Sequence, residues 1–486
     1  MLLFWLVVGG VLAVLSIFSS KLLYKFGVPT LLLFLAVGMI VGEEGPFGLR
    51  FADADTAKQI CTVGLVFILF YGGFGMRWET AKPVALKAGL LATVGVFLTA
   101  LVTGILASYI LETSLINGML FGAVIASTDA ASVFSILRTK KLNLKHGLSP
   151  LLEMESGSND PMSYMLTIIL ITIAGGEAMS PLTIAKTLFL QFFFAVLMAV
   201  LLYKVSIYIL KKLELEVDGL YPILVAGLVV ICYAATELIG GNGYLAVYIL
   251  GVALGNARFS HRRSIVHFFD GISWLVQIAI FFTLGLLVAP STMLSHALPG
   301  LLCVFAVVFV ARPIAVFAIL TPFKVDMKSQ ILTMWSGLRG VASIVFATFI
   351  LAAGLPIADE IFNIVFFLCL VSILFQGALI PAFAKKLDLV DNEESVLKTF
   401  NDYPDEVEGK LFEIKVGYKH PWNNVRIVDA KIPESILIIM VKRSNSVITP
   451  KGSTVLRVGD SVVVTGSDIT ELKQTLSNLK LNAQET

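Results

Sequence analysis

Charge is what this chain has least of. Asp, Glu, Lys and Arg make up only 14% of its 486 residues, against 57% hydrophobic, and the mean hydropathy is +0.88. A soluble domain carries about 25% charged residues, so a soluble body is excluded and a polytopic membrane protein is indicated. The net charge of +2 is too small to draw in nucleic acid. Cysteine is scarce as well. Cys61, Cys232, Cys303 and Cys369 all lie in apolar runs, where thiols pack as small hydrophobes, so neither a disulfide framework nor a zinc spacing follows. His146, His261, His267, His296 and His420 form no metal-binding cluster and none lies mid-span. That argues against a membrane enzyme, and no cofactor is expected. No carbonyl filter such as Thr-Val-Gly-Tyr-Gly is present, which argues against a ligand-gated cation channel. The apolar run at 2–18 lacks a basic leader and a small-residue cleavage site, and is expected to be a retained first span.

What is there is a series of about thirteen apolar segments, judged against the roughly 20 residues a helix needs to cross a bilayer. They fall at 2–19, 28–42, 59–74, 88–110, 114–137, 148–174, 188–210, 220–239, 243–254, 268–288, 298–320, 329–353 and 361–384. Basic residues collect on the cytoplasmic side of membrane proteins. One set of loops carries Lys21, Lys25, Arg77, Lys82, Lys87, Arg138, Lys140, Lys141, Lys145, Lys211, Lys212, Arg258, Arg262, Arg263, Lys324 and Lys328; the alternate set carries Arg50, Lys58 and Lys186. This places the amino terminus outside and everything after Ala384 in the cytoplasm.

The second and ninth segments are short. Leu69-Phe70-Tyr71-Gly72-Gly73-Phe74 in the third is echoed by Phe281-Phe282-Thr283-Leu284-Gly285-Leu286 in the tenth. A period of seven spans is odd, so two such copies are inverted, an architecture whose helices break at the midplane. Breaks are then expected in the fifth and twelfth spans. Ala126-Ser127-Thr128-Asp129-Ala130-Ala131-Ser132 puts hydroxyls and a carboxylate into the fifth, and Ser336-Gly337-Leu338-Arg339-Gly340 puts an arginine between glycines in the twelfth. The competing reading, continuous helices with small residues at packing faces, leaves Asp129 and Arg339 unexplained.

Polar chemistry is densest at Glu153-Met154-Glu155-Ser156-Gly157-Ser158-Asn159-Asp160-Pro161, at the head of the sixth span. Helical spacing puts Glu155 with Asn159 and Ser156 with Asp160, and Pro161 removes a backbone donor. A carboxylate among hydroxyl, amide and freed carbonyl oxygens suits a monovalent cation, and a proton neutralises it equally. Asp160 is therefore the candidate for a site occupied by each in turn. Glu155 and Arg339 are read as a structural ion pair, since each alone is costly in a low dielectric. The alternative for Asp160 is a plain salt bridge to Arg312 or Arg339. Arg312 has no assigned role, Glu153 fits helix-start chemistry, and Glu237 and Asp270 lie near span ends, as interfacial residues do. A sensor without transport would not need the buried Asp160.

In their order, Ser127-Thr128-Asp129-Ala130-Ala131, Glu155-Ser156-Gly157-Ser158-Asn159-Asp160-Pro161 and Gly337-Leu338-Arg339-Gly340 resemble the NhaP-type monovalent cation/proton antiporters, most closely the potassium/proton, cell-volume-regulation subgroup. The resemblance implies a thirteen-helix inverted repeat in a bacterial cytoplasmic membrane, a homodimer, and a mobile core domain working against a fixed one. It implies that Asp160 binds cation or proton, that Thr128 and Ser156 add oxygen ligands, that Asn159 orients the site, and that Glu155 pairs with Arg339. Asp129 is placed with the ion-binding group. Asparagine before the aspartate marks the electroneutral branch, one proton per cation. One departure is Gly72-Gly73, where some relatives carry a carboxylate in the third span; it bears on the cation route and on sodium against potassium.

After Ala384 the pattern changes. Residues 385–408 are polar and acidic and read as a solvated linker. From 409 onward, short apolar runs at 411–416, 436–441 and 461–465 read as strands, and Ser467 or Asp468 as the cap of a helix closing through 479. Arg443-Ser444-Asn445-Ser446 followed by Leu456-Arg457-Val458-Gly459-Asp460 resembles the carboxy-terminal TrkA domain. Such a domain implies a small regulatory ligand, with a cyclic dinucleotide as one possibility. A preceding nucleotide-binding half is not indicated, since no Gly-x-Gly-x-x-Gly follows a strand.

Overall fold

The computed structural model describes residues 31–391, 412–466 and 483–485, apart from isolated positions. The first expected span lies almost wholly outside the described residues. So does the helix expected to close the chain at 479. Contacts divide the chain into two units, residues 1–401 and 402–486.

Unit one is helical. In chain order its principal helices are α1 (Leu31–Val41), α2 (Ala54–Gly75), α3 (Trp78–Ile110), α4 (Leu115–Ile125), α5 (Ala130–Thr139), α6 (Leu148–Ala174) and α7 (Pro181–Lys212). They continue with α8 (Leu220–Leu238), α9 (Gly243–Gly255), α10 (Arg262–Leu287), α11 (Ala297–Leu320), α12 (Met327–Trp335), α13 (Val341–Ala352) and α14 (Ala358–Lys386). Among the described residues, eight helices are long and apolar enough to cross a bilayer. Helix starts are set by short polar side chains that accept otherwise orphaned backbone N–H groups. Asp53 caps α2, Ser114 α4, Ser180 α7, Asn242 α9 and Asp326 α12. One face of α7 leaves Phe189, Phe192, Phe193, Leu197 and Leu201 exposed. So large an apolar face suits lipid rather than water.

The echo between the third and tenth spans has a packing basis. The second span, α1, lies on the tenth, α10, where Gly38 and Gly285 meet backbone to backbone. The ninth, α9, lies on the third, α2, where Gly251 and Gly73 do the same. A shift of seven spans turns one pair into the other. At each contact a Cβ would collide with a facing carbonyl, so glycine is what lets these helices approach so closely.

Both expected breaks are present. Helix stops at Ile125 and resumes at Ala130, and stops at Trp335 and resumes at Val341. By contrast α6 runs unbroken through Pro161. The stretch expected as linker begins in order: α14 reaches Lys386, and β2 (Val390–Asp391) pairs antiparallel with β1 (Asn143–Leu144) in the α5–α6 loop.

Unit two carries β3 (Phe412–Lys415), β4 (Ile436–Arg443), β5 (Ser446–Ile448), β6 (Ser461–Gly466) and β7 (Ala483–Glu485), in one antiparallel sheet of order β5-β4-β6-β3-β7. Ile414, Val416, Trp422, Val441, Leu456, Val462 and Val464 form its core. Arg443 grips Asp460 through two hydrogen bonds, of 2.7 and 2.8 Å, and Asp460 also accepts the Arg457 N–H at 2.8 Å. This tie holds residues 457–460, just before β6, against the end of β4.

Candidate ion-binding site

The two breaks meet. The Asp129 N–H donates to the Leu338 carbonyl at 2.8 Å, and the Ser127 and Ser343 hydroxyls stand 3.2 Å apart. Each break leaves helix ends, and with them partial charges, inside the protein. Arg339 answers one end: its Nη1 donates to the Ala126 and Ser127 carbonyls, both at 2.8 Å, where α4 terminates. Asp129 answers another. Its carboxylate accepts the Ser132 N–H at 3.1 Å and the Ser132 hydroxyl at 2.6 Å, capping α5, and lies against Gly340 at the start of α13. A cation thus sits at a helix carboxyl end and an anion at two amino ends, each where the dipole favours it.

Helix α6 stitches itself to the first break. Ser156 donates to the Thr128 carbonyl at 2.7 Å and accepts the Ala130 N–H at 2.9 Å. Asn159, fully buried, donates through Nδ2 to Thr128 Oγ1 at 2.6 Å, and one turn on Ser163 donates to the Ala123 carbonyl at 2.5 Å. Asn242 of α9 donates to the Pro161 carbonyl at 2.9 Å. Pro161 lacks the N–H that would pair with the Gly157 carbonyl, and Gly157 packs directly under the Tyr248 ring.

Asp160 follows in this frame. Its Oδ1 is sealed from solvent and has no hydrogen-bond partner, and the same is true of Oδ1 of Asn159, the residue before it. Ser127 and Asp129 are its electrostatic neighbours. Buried polar atoms in proteins are nearly always paired, so two unpaired oxygens next to two unwound segments make this a candidate position for an ion. The candidate ligands on these segments are all oxygens: the Asp160 carboxylate with the Ser127 hydroxyl near it, and the Asn159 Oδ1 and Thr128 hydroxyl of the neighbouring Asn159–Thr128 pair. They suit a hard monovalent cation or a proton. Among the described residues no cluster of His, Cys, Asp and Glu could hold a resident metal.

One expected pairing is corrected. Glu155 is bound not by Arg339 but by Arg312, through Nη1–Oε1 at 2.5 Å and Nη2–Oε2 at 3.0 Å. Arg339 instead gives its Nη1 to the break carbonyls, and its Nε and Nη2 have no hydrogen-bond partner. Arg312 also reaches the Thr333 carbonyl at 3.4 Å in the last turn of α12, so it ties α11, α6 and α12 together. Its only trace in the sequence is a charge in an apolar run with no other employment. Of the residues read as interfacial, Glu237 lies at the end of α8 and accepts the Gly243 N–H at 2.8 Å, and Asp270 accepts the Tyr71 hydroxyl at 3.1 Å. Gln376, which no local pattern in the sequence marks, clasps Trp335 from α14, donating to its carbonyl at 2.7 Å.

Known proteins resemble this chain in sequence and fold. The family model described as "Sodium/hydrogen exchanger, transmembrane" matches residues 10–386, and that of the TrkA-C domain matches residues 411–473. A K(+)/H(+) antiporter NhaP2 of Shewanella sp. (strain MR-4) is 36% identical across 99% of this chain and 83% of its own, and a K(+)/H(+) antiporter NhaP of Alkalimonas amylolytica 34% across 94% and 80%. A solved sodium proton antiporter, MjNhaP1 from Methanocaldococcus jannaschii, superposes with TM-score 0.70 at 26% identity, covering 79% of this chain and 99% of that one. These matches span the helical unit and the appended TrkA-C domain, and the chain belongs to the NhaP family of monovalent cation/proton antiporters, which are transporters and not enzymes.

Proposed function

We propose that this antiporter exchanges potassium for protons, one for one, across a bacterial cytoplasmic membrane, the two ligands competing for Asp160. The observation that carries the reading is the sealed, unpartnered Oδ1 of Asp160 at the crossing of the breaks. A bare carboxylate there bears a large desolvation cost. Binding either a proton or a potassium ion removes most of it, so the loaded forms cross and the empty one stays. Thr128, Ser156 and Asn159 serve the ion as ligands or by holding the ligands in place. Asp129 serves it as a nearby negative charge that also fixes the break. Asn159 before Asp160 is the feature that supports an electroneutral cycle.

Potassium is favoured because the relatives that match nearly the whole chain are named K(+)/H(+) antiporters. Sodium is the second reading, favoured by the archaeal relative named Na(+)/H(+) antiporter 1, 30% identical over 72% of this chain. The skew of basic loops supports an outside amino terminus and a cytoplasmic TrkA-C module. That module is proposed to take a small regulatory ligand such as a cyclic dinucleotide, and the protein to work as a homodimer.

The test uses purified protein in sealed vesicles with a pH-sensitive dye, adding potassium and then sodium, with and without a voltage clamp. The reading expects a potassium-dependent, voltage-insensitive proton movement that Asp160→Asn abolishes. A response to sodium alone moves the protein to the second reading. Exchange retained by Asp160→Asn sinks the site assignment.

A further inference from the structure

The chain does not simply leave the membrane after α14. It turns back at Asp388, which adopts a left-handed φ of 58°, and lays residues 389–391 along the loop between α5 and α6. Asn143 stands opposite Asp391 and Leu144 opposite Val390. The Lys145 N–H donates to the Leu389 carbonyl at 2.9 Å, and Lys145 Nζ lies 3.3 Å from Asp388 Oδ1. Leu389 is buried with Leu144 and Leu148 in a cluster that also holds Leu151, Trp335 and Leu338. That cluster therefore includes the first turn of α6, the last residue of α12 and the second break itself.

The next residue in the loop reaches the other crossing helix. His146 Nδ1 lies 3.6 Å from Asp326 Oδ1 and 3.5 Å from the Ser329 hydroxyl. Asp326 is the cap of α12, accepting the Ser329 N–H at 2.9 Å. The loop at 143–147 thus touches the starts of both α6, which carries Asp160, and α12, which leads to Arg339. It is gripped by the segment from which the chain runs on to the TrkA-C module.

We propose that residues 387–391 are a coupling strap through which the TrkA-C module acts on the ion site, an inference that rests on the module being regulatory. A chain that only had to reach its next domain would need no pairing here. A two-residue ladder is too short to hold by itself, so it depends on the Leu389 plug and the Lys145 contacts. Such a local element opens and closes at low cost. Tension on residue 391 is delivered to the first turn of α6, about 18 Å along the helix from Asp160 at 1.5 Å per residue, and through His146 to the cap of α12.

A mutant cycle on the full chain tests the proposal. The module is perturbed by Asp460→Asn, which loosens its tie to Arg443. The perturbation is made in the natural chain, in a strap-broken chain (Lys145→Ala with Leu389→Ser), and in a chain with ten Gly/Ser residues inserted after Asp391. The insertion leaves every strap contact in place, so it serves even where the strap-broken chain does not fold. Asp460→Asn is expected to shift the half-saturating potassium concentration about fivefold in the natural chain and not in the other two. A shift that persists in the slackened chain, or no shift in the natural chain, overturns the strap. Amide hydrogen exchange at 143–148 gives a readout independent of transport: Asp460→Asn is expected to speed it in the natural chain only, and unchanged exchange there overturns the strap too. Altered exchange in a protein that moves no potassium would leave the strap standing and remove the antiport reading.

Discussion

Two arginines in apolar surroundings do different work, and their removal should tell them apart. Arg312 neutralises Glu155, and both are almost fully buried. Replacing it by Met strands a buried carboxylate, a change that costs about 3–5 kcal/mol. Arg339→Met removes two hydrogen bonds from a charged donor to carbonyls, each worth about 1.5–3 kcal/mol, so the two losses are of similar size. The carboxylate separates them: Glu155→Gln should restore much of the thermal stability lost in Arg312→Met and little of that lost in Arg339→Met, read by unfolding in detergent; the reverse pattern would restore the Glu155–Arg339 pairing read from the sequence. That reading had no means of choosing. Each arginine lies far from Glu155 along the chain, and only folding decides which guanidinium arrives.

Among elements, glycine contacts set what can move where. A Cβ on Gly340 would strike the Asp129 carboxylate, so Gly340→Ala should dislodge the α5 cap and halt exchange in vesicles. On α2 the neighbouring glycines differ: Gly72 faces open space, while a Cβ on Gly73 would lie 2.5 Å from the Tyr248 carbonyl. Gly72→Ala should keep or raise the melting temperature, an exposed helical Gly to Ala change being worth up to about 1 kcal/mol, and Gly73→Ala should lower it. The breaks were legible because glycines and polar residues in the middle of an apolar run are a local signal. The role of Asp129 as a cap was not. It depends on where helix resumes, at Ala130, and on the approach of Gly340 from another span.

Across the whole molecule, the module has its own acid sensitivity. Arg443 holds the Asp460 carboxyl below the usual carboxylate range, chiefly through its hydrogen bonds. Because the folded value is the lower one, the stabilisation is complete above the unfolded value, near pH 4. It is lost as pH falls through the depressed folded value. Asp460→Asn should weaken the module by about 1.5–3 kcal/mol at neutral pH and abolish that acid dependence, both read from hydrogen exchange along β6. The strap joining this module's chain to the α5–α6 loop left no mark in the sequence. Residues 385–408 are polar and acidic, as a solvated linker is, and pairs such as Asn143 with Asp391 make strands too short to show alternation.

The sequence by itself determined the membrane class, the two breaks, the polar cluster around Asp160 and the appended module. Hydrophobicity, glycine placement and polar clusters are properties of short stretches, and short stretches are what a sequence displays. Only the tertiary structure decided that Arg312 rather than Arg339 answers Glu155, that Asp129 caps α5, and that the chain after α14 is pinned beside the crossing helices. Charge compensation, capping across elements and strand pairing all turn on proximity between residues far apart in the chain, and proximity is created by packing.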